Sequence, residues 1–475
     1  MSYIVYCLIL SILQSVLFFQ KQFGISVIIF VVFAVIFMVK ILYKKEKVKN
    51  KKAFILIVPI VLLSSTYAIW NNQFFAVFNI LVTFGLFAFM VYLVTNEENT
   101  IDFKNIVFNV FLIIFKPIIF LNKPINEISD IFSKYTKDKE RTRTITRIVL
   151  GIVLAIPVVF VVVGLLNSAD IVFSDITGKF GIQLTNVFNE SFIFRIILIV
   201  LAFLYFGGYV YNIFERNTKK QETLEIIERK SILDNITIQT VTTILNIIYL
   251  LFCIIQFSYL FMKIGGTNFD YADYARSGFF QLMAVTFINF IVIIVSNVNK
   301  SVCSNKAITY KKVMNILLCI FTFIILISAF YRMRLYELEY GYTTLRLFVY
   351  IILGTEAVLT IPTVMYILNT KVPLLKCCLA IIITVYTVIN FINMDNIIAD
   401  RNVDRYFETG RIDIEYLVNG LSIDAAPQIY RLLGSSDNDI KSKVYEYFKN
   451  IDQHTQTTSL FEFNFYKYKV KNLNY

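Results

Sequence analysis

Apolar residues come in runs of about twenty, separated by short polar stretches. A helix rises 1.5 Å per residue, so about twenty apolar residues match a hydrocarbon layer of roughly 30 Å. Eleven such runs lie near 3–19, 24–43, 53–70, 73–95, 148–166, 193–213, 237–262, 279–297, 313–330, 346–369 and 374–393. The first lacks a basic leader and a small-residue cleavage site, and a second follows at once, so it reads as a helix rather than a signal peptide. Segment 101–121 is nearly as apolar but carries Lys104, Asn105, Lys116 and Pro117. The pattern predicts an interfacial or re-entrant helix there, because a crossing would put the basic stretch 122–147 on the wrong side.

Lysine and arginine set the orientation. The alternate connections 44–52, 96–147, 214–236, 298–312 and 370–376 hold 26 basic residues, against 7 in 20–23, 71–72, 167–192, 263–278 and 331–346. The basic set is therefore expected in the cytoplasm, with the N-terminus inside and the C-terminal segment outside. The chain is 57% hydrophobic and 16% charged, with a mean hydropathy of +0.67. These values exclude a soluble enzyme, a nucleic-acid binder, a fibre and a disordered chain as descriptions of the whole. The net charge of +12 belongs to the basic face, where it meets lipid rather than nucleic acid. Heavy use of Ile, Phe, Tyr, Asn and Lys suggests an AT-rich bacterial genome. One histidine, His454, and six cysteines without CxxC spacing suggest no cofactor, metal site or disulfide framework.

The expected fold class is all-α: a polytopic α-helical integral membrane protein of about eleven spans in a bacterial plasma membrane. Its regions are an N-terminal four-helix part (1–95), a cytoplasmic basic segment (96–147), a seven-helix core (148–393) and an extracytoplasmic C-terminal module (394–475). That module carries twelve acidic and ten basic residues. SIDAAPQIYRLLG reads as a helix capped by Ser422 and closed by Gly434, and the next stretch as a second helix capped near Asp437. The alternating LFEFNFYKYKV predicts a strand or edge-packing segment. The module is expected to pack on the outer face of the bundle.

Polar residues inside apolar runs are the candidates for chemistry. Glu356 lies midway along the tenth run, where a charge costs several kcal/mol, so it serves either a ligand path or an interhelical hydrogen bond. Asn246, Gln256, Gln281, Asn289 and Asn390 read as interhelical hydrogen-bonding residues. The outer connections add Asp170, Asp273, Arg276, Arg332, Arg334, Glu337, Glu339 and Arg346, interleaved with tyrosines. They form either an ion-paired collar or a collar with a pocket for a small polar solute or lipid headgroup.

SAFYRMRLYELEYGYTTLRLF resembles the signature of a bacterial multi-pass family known as a domain of unknown function, number 4173, at Arg332, Met333, Leu335, Tyr336, Tyr340, Gly341, Thr344, Leu345 and Arg346. Tyr342 and Thr343 depart from the family's Leu-Thr. NSADIVF, YADYARSGFFQLMAV and the tail from Ile398 to Pro427 resemble three further stretches in the same order. The resemblance covers about 148–435 and implies a bacterial membrane protein without implying a reaction.

Three function classes follow. Glu356 and the mid-span polar residues favour a transport-like or solute-sensing protein. The outer collar and tail suit a non-catalytic envelope scaffold that binds a membrane-protein partner. An envelope enzyme acting on a lipid-linked substrate would use outer carboxylates, but the first outer connection is too short for the acidic motif of many-helix glycosyltransferases.

Overall fold

The computed structural model describes residues 3–96, 103–133, 190–215, 235–262, 278–298, 304–454 and 459–471. Among them the regular elements are helical and none is a strand. In chain order they are α1 (Tyr3–Phe18), α2 (Ile25–Lys44), α3 (Ile57–Ser65), α4 (Gln73–Thr95), α5 (Phe103–Phe115), α6 (Asn122–Ser133) and α7 (Glu190–Glu215). Then come α8 (Asn235–Met262), α9 (Phe279–Val298), α10 (Asn305–Tyr340), α11 (Thr344–Leu368) and α12 (Leu374–Ile389). The tail holds α13 (Met394–Thr409), α14 (Ile414–Asn419), α15 (Ala426–Ile429), α16 (Asn438–His454) and α17 (Phe465–Lys471). Short 3-10 turns flank α3 and extend it to Lys51–Ala68.

Among the described residues eight helices are long and apolar enough to cross a membrane, and ten if each of two bent pairs is one crossing. The chain is thus a polytopic helical membrane protein. α1 has only 16 residues, and the run 148–166 lies outside the described residues. Two runs break. Segment 101–121 forms α5 and a 3-10 turn, then meets α6 at a 50° bend. The run 374–393 stops at Ile389 and turns 59° into α13. Pro117 lies at the start of the 3-10 turn that follows α5, and Asn393 caps α13 at the second break by accepting from the Asn396 amide.

The chain divides into two compact units. The first comprises 1–70, 74–223 and 456–465, and the second 71–73, 224–455 and 466–475. In the first, Ile4, Cys7 and Leu10 of α1 pack on Phe37 and Ile41 of α2 and on Phe203, Leu204 and Val210 of α7. α7 comes close to the break after α5 because Gly207 and Gly208 lie against it. A Cβ on Gly208 would stand 2.5 Å from the Pro117 carbonyl oxygen.

In the second unit the buried positions repeat every three and four residues. They are Phe279, Leu282, Thr286, Asn289, Ile293 and Ser296 on α9, and Arg346, Val349, Leu353, Glu356, Thr360, Thr363 and Ile367 on α11. α10 carries Asn315, Leu318, Thr322, Ile325, Ala329 and Arg332. This spacing keeps one stripe of each helix facing its neighbours. The direction of each helix follows from its bonds. Gln239 and Asn246 of α8 reach the Ala307 and Met314 carbonyls of α10 (3.1 and 3.0 Å), so both numbers rise together and the helices run parallel. Asn289 and Ser296 meet Thr322 and Asn315 (3.0 Å each), so α9 and α10 run antiparallel.

Two expectations change. Segment 331–346 is not a loop: α10 continues to Tyr340, and only 341–343 lie outside a helix. The terminal stretch is not a strand but a 3-10 turn, Leu460–Glu462, followed by α17. Alternation there buries Glu462, Asn464 and Tyr466 and leaves Phe463 and Phe465 exposed. Asn464 donates to the Tyr67 and Trp70 carbonyls (2.9 and 3.0 Å), and the Phe463 carbonyl accepts from Ile25 N–H (3.1 Å). Helix ends, not a neighbouring strand, take up its hydrogen bonds.

Candidate functional site

Glu356 sits on the buried stripe of α11, 7% exposed. The Thr286 hydroxyl of α9 lies 2.6 Å from its Oε2 and 2.7 Å from the Met283 carbonyl oxygen. A threonine hydroxyl carries one hydrogen, and two acceptors compete for it. Both contacts are satisfied when Glu356 holds a proton and donates to Thr286, which then donates to Met283. One turn along α9, Asn289 accepts from the Tyr249 hydroxyl (2.7 Å) and donates to Thr322 (3.0 Å). Thr322 closes that chain on the Leu318 carbonyl (2.7 Å). A polar seam thus runs through α8, α9, α10 and α11.

Of the other mid-span polar residues, Gln256 accepts from Ser328 (3.1 Å) and joins α8 to α10. Asn390 donates within its own helix end, to the Tyr386 carbonyl (2.8 Å). Gln281 is exposed on α9.

The charged cluster at the α10–α11 turn lies about 15 Å from Glu356, ten residues along α11 at helical rise. Glu337 is buried and pairs with Arg334, while the Tyr350 hydroxyl donates to its other oxygen (2.7 Å). Arg334 also reaches the Tyr342 hydroxyl (3.1 Å). Arg346 is 8% exposed, donates to the Gly341 carbonyl and covers the Tyr336 ring at 4.3 Å. Arg332 is equally buried. Its guanidinium fills the space beside Gly278 (φ +105), where a Cβ would be 2.5 Å away. Glu339 is exposed and pairs with Arg411 (3.2 Å). Arg332, Arg334, Glu337 and Arg346 therefore gather at one end of the bundle, Glu339 joins the tail, and Glu356 stands apart. Asp170, Asp273 and Arg276 lie outside the described residues.

The tail residues at this end were expected only as a general packing surface. Asn402 clamps residue 342, accepting from its N–H (2.9 Å) and donating to its carbonyl (2.8 Å). Arg405 donates to the Glu339 carbonyl, and the Tyr416 hydroxyl accepts from Thr344 N–H (2.8 Å). Gly341 (φ +79) admits this contact, since a Cβ there would stand 2.5 Å from the Asn402 Oδ1. The signal was present: Tyr340, Gly341 and Thr344 in one stretch, and Asn402, Arg405 and Tyr416 in another, carry the family resemblance. The structure shows that these two stretches touch.

A second clamp holds residues 71–72. Asp424 accepts from the backbone and side chain of Asn71 (2.7 and 3.1 Å). Asp395 accepts from Asn72 (3.0 Å), Ser422 N–H (3.1 Å) and the Ser422 hydroxyl (2.5 Å). Burial pushes the Asp424 carboxyl up to about 6; the nearby Asp395 adds to this and the Asn71 bonds oppose it.

Spanning helices, a buried carboxylate between them and a helical tail bonded to their connections define a multi-pass membrane protein with a docked C-terminal module. The chain belongs to the family described as Domain of unknown function (DUF4153), whose family model matches residues 57–432. That family carries a different number from the one the outer stretches resemble, and its match also takes in α3 and α4. No curated protein and no solved structure gives a significant match.

Proposed function

We propose that this chain is a transport-like or solute-sensing membrane protein in which Glu356 exchanges a proton as a ligand binds. The observation that carries this reading is the single Thr286 hydrogen shared between two acceptors, which is resolved by a protonated Glu356. A carboxyl that stores a proton between helices couples helix packing to proton or cation exchange. Arg332, Arg334, Glu337 and Arg346, at the extracytoplasmic end in this reading, hold the polar end of the path. The tail covers the α10–α11 turn.

A scaffold reading is favoured by a different observation: Glu337 and Arg346 are taken up within the bundle, and Glu339 is taken up by the tail. In that case the collar fixes helix ends and presents the tail to a membrane-protein partner.

Thermal unfolding of the purified protein, screened across pH with ions, sugars and lipid headgroups, separates the two. Transport or sensing predicts a ligand- or pH-dependent shift that Glu356→Gln lacks, because a ligand that binds only the folded state must raise its stability. Identical responses of wild type and Glu356→Gln to every condition would overturn the proposal and leave the scaffold.

A further inference from the structure

At the lysine-rich end of the first unit a hollow of about 210 Å³ opens between helix ends. Tyr3 and Tyr6 come from the start of α1, Lys40, Lys44 and Lys45 from the end of α2, and Glu127 from α6. Phe214 in the last turn of α7 forms its wall, with the Tyr3 ring edge-on to it at 5.6 Å and the Lys45 ammonium over its face at 4.9 Å. Its lining thus carries three lysines against one carboxylate. Lys44 ends α2 and Lys45 caps it, where the negative end of the helix dipole favours cations.

The position of the hollow matters as much as its charge. From Ile25 to Val39, α2 has no charged residue, so Lys40 is the first charge met on leaving the apolar layer. The hollow therefore lies at the boundary between hydrocarbon and water. Lysine ammonium groups and tyrosine hydroxyls give it many donors, and Glu127 is the one carboxylate among its lining residues. The matching ligand is a compact anion with several acceptor oxygens, and the anion that resides at this depth is the phosphate of a membrane lipid.

We propose that this hollow binds the phosphate headgroup of an anionic phospholipid, with Lys40, Lys44 and Lys45 as its cationic ligands. Glu127 limits the affinity by repulsion.

The test is thermal unfolding of the full chain in detergent, titrated with phosphatidylglycerol, phosphatidylcholine or inorganic phosphate. Phosphatidylglycerol is expected to raise the unfolding temperature and phosphatidylcholine to leave it nearly unchanged. Lys40→Gln with Lys44→Gln and Lys45→Gln should weaken binding by about fivefold per charge removed, roughly a hundredfold together. A matched triple in the neighbouring connection, Lys47→Gln with Lys49→Gln and Lys51→Gln, should weaken it far less. Glu127→Gln should tighten binding by about fivefold, and this gain remains readable if the triple variant folds poorly. Equal shifts with the two lipids, equal losses in the two triple variants, or no gain in Glu127→Gln would each overturn the site. A shift with inorganic phosphate as large as that with phosphatidylglycerol would overturn the lipid assignment in favour of a soluble anion.

Discussion

Asp424 shows what burial does to one carboxylate. It is 1% exposed, and its two hydrogen bonds from Asn71 do not offset the loss of water. Its carboxyl therefore binds a proton more tightly in the folded protein, at about 6, than the ordinary value of 3.8. The sign follows from linkage: the folded state holds more protons between these values, so stability falls as pH rises through this window and is level above it. The difference between 3.8 and about 6 corresponds to at most about 3 kcal/mol. Unfolding of the wild type should lose stability between about pH 4 and 6, while Asp424→Asn should show a much flatter profile. A wild type that gains stability across that range would contradict the assignment. Serine and aspartate before the tail helices were legible as caps: Ser422 accepts from Asp424 N–H (3.3 Å) and Asp437 from Asp439 N–H (2.9 Å). The partner of Asp424, 353 positions away, was not legible, because local spacing carries no information about it.

At the scale of elements, apolar length identified most helices, but it did not say which polar residues face inward. Gln281 and Asn289 stand eight positions apart on α9 and read alike in sequence. Position along the stripe separates them: Asn289 follows Leu282 by seven residues and Thr286 by three, whereas Gln281 falls between stripe positions. Asn289→Ala should therefore destabilise the protein by about 1 kcal/mol, as one interhelical polar link typically does. Gln281→Ala should remain within about 0.5 kcal/mol of wild type. Reversible unfolding in mixed detergent micelles measures both, and equal effects would refute the stripe assignment. The same register explains α10. Its buried stripe runs on from Leu318 and Ile325 to Arg332 and Glu337, so the charged segment stays helical beyond the apolar run.

Among the described residues, the tail meets the chain at connections poor in lysine and arginine. In the first unit the Phe463 carbonyl joins Ile25 and Asn464 joins Tyr67 and Trp70; in the second, Asp424 joins Asn71 and Asn402 joins residue 342. Charge asymmetry predicts that these connections are extracytoplasmic. In a background without native cysteines, Ser436→Cys should react with a membrane-impermeant thiol reagent on intact cells. Lys51→Cys should react only after permeabilisation, and the opposite pattern would reverse the topology. The sequence by itself determined the class and the helix periods, because hydrocarbon thickness and helical rise act on local runs of residues. Only the tertiary structure decided that Glu356 meets Thr286, that Arg346 lies over Tyr336 and that Asn402 clamps residue 342. Those contacts join helices far apart in the chain, and their register is set by packing between stripes rather than by the spacing within any one of them.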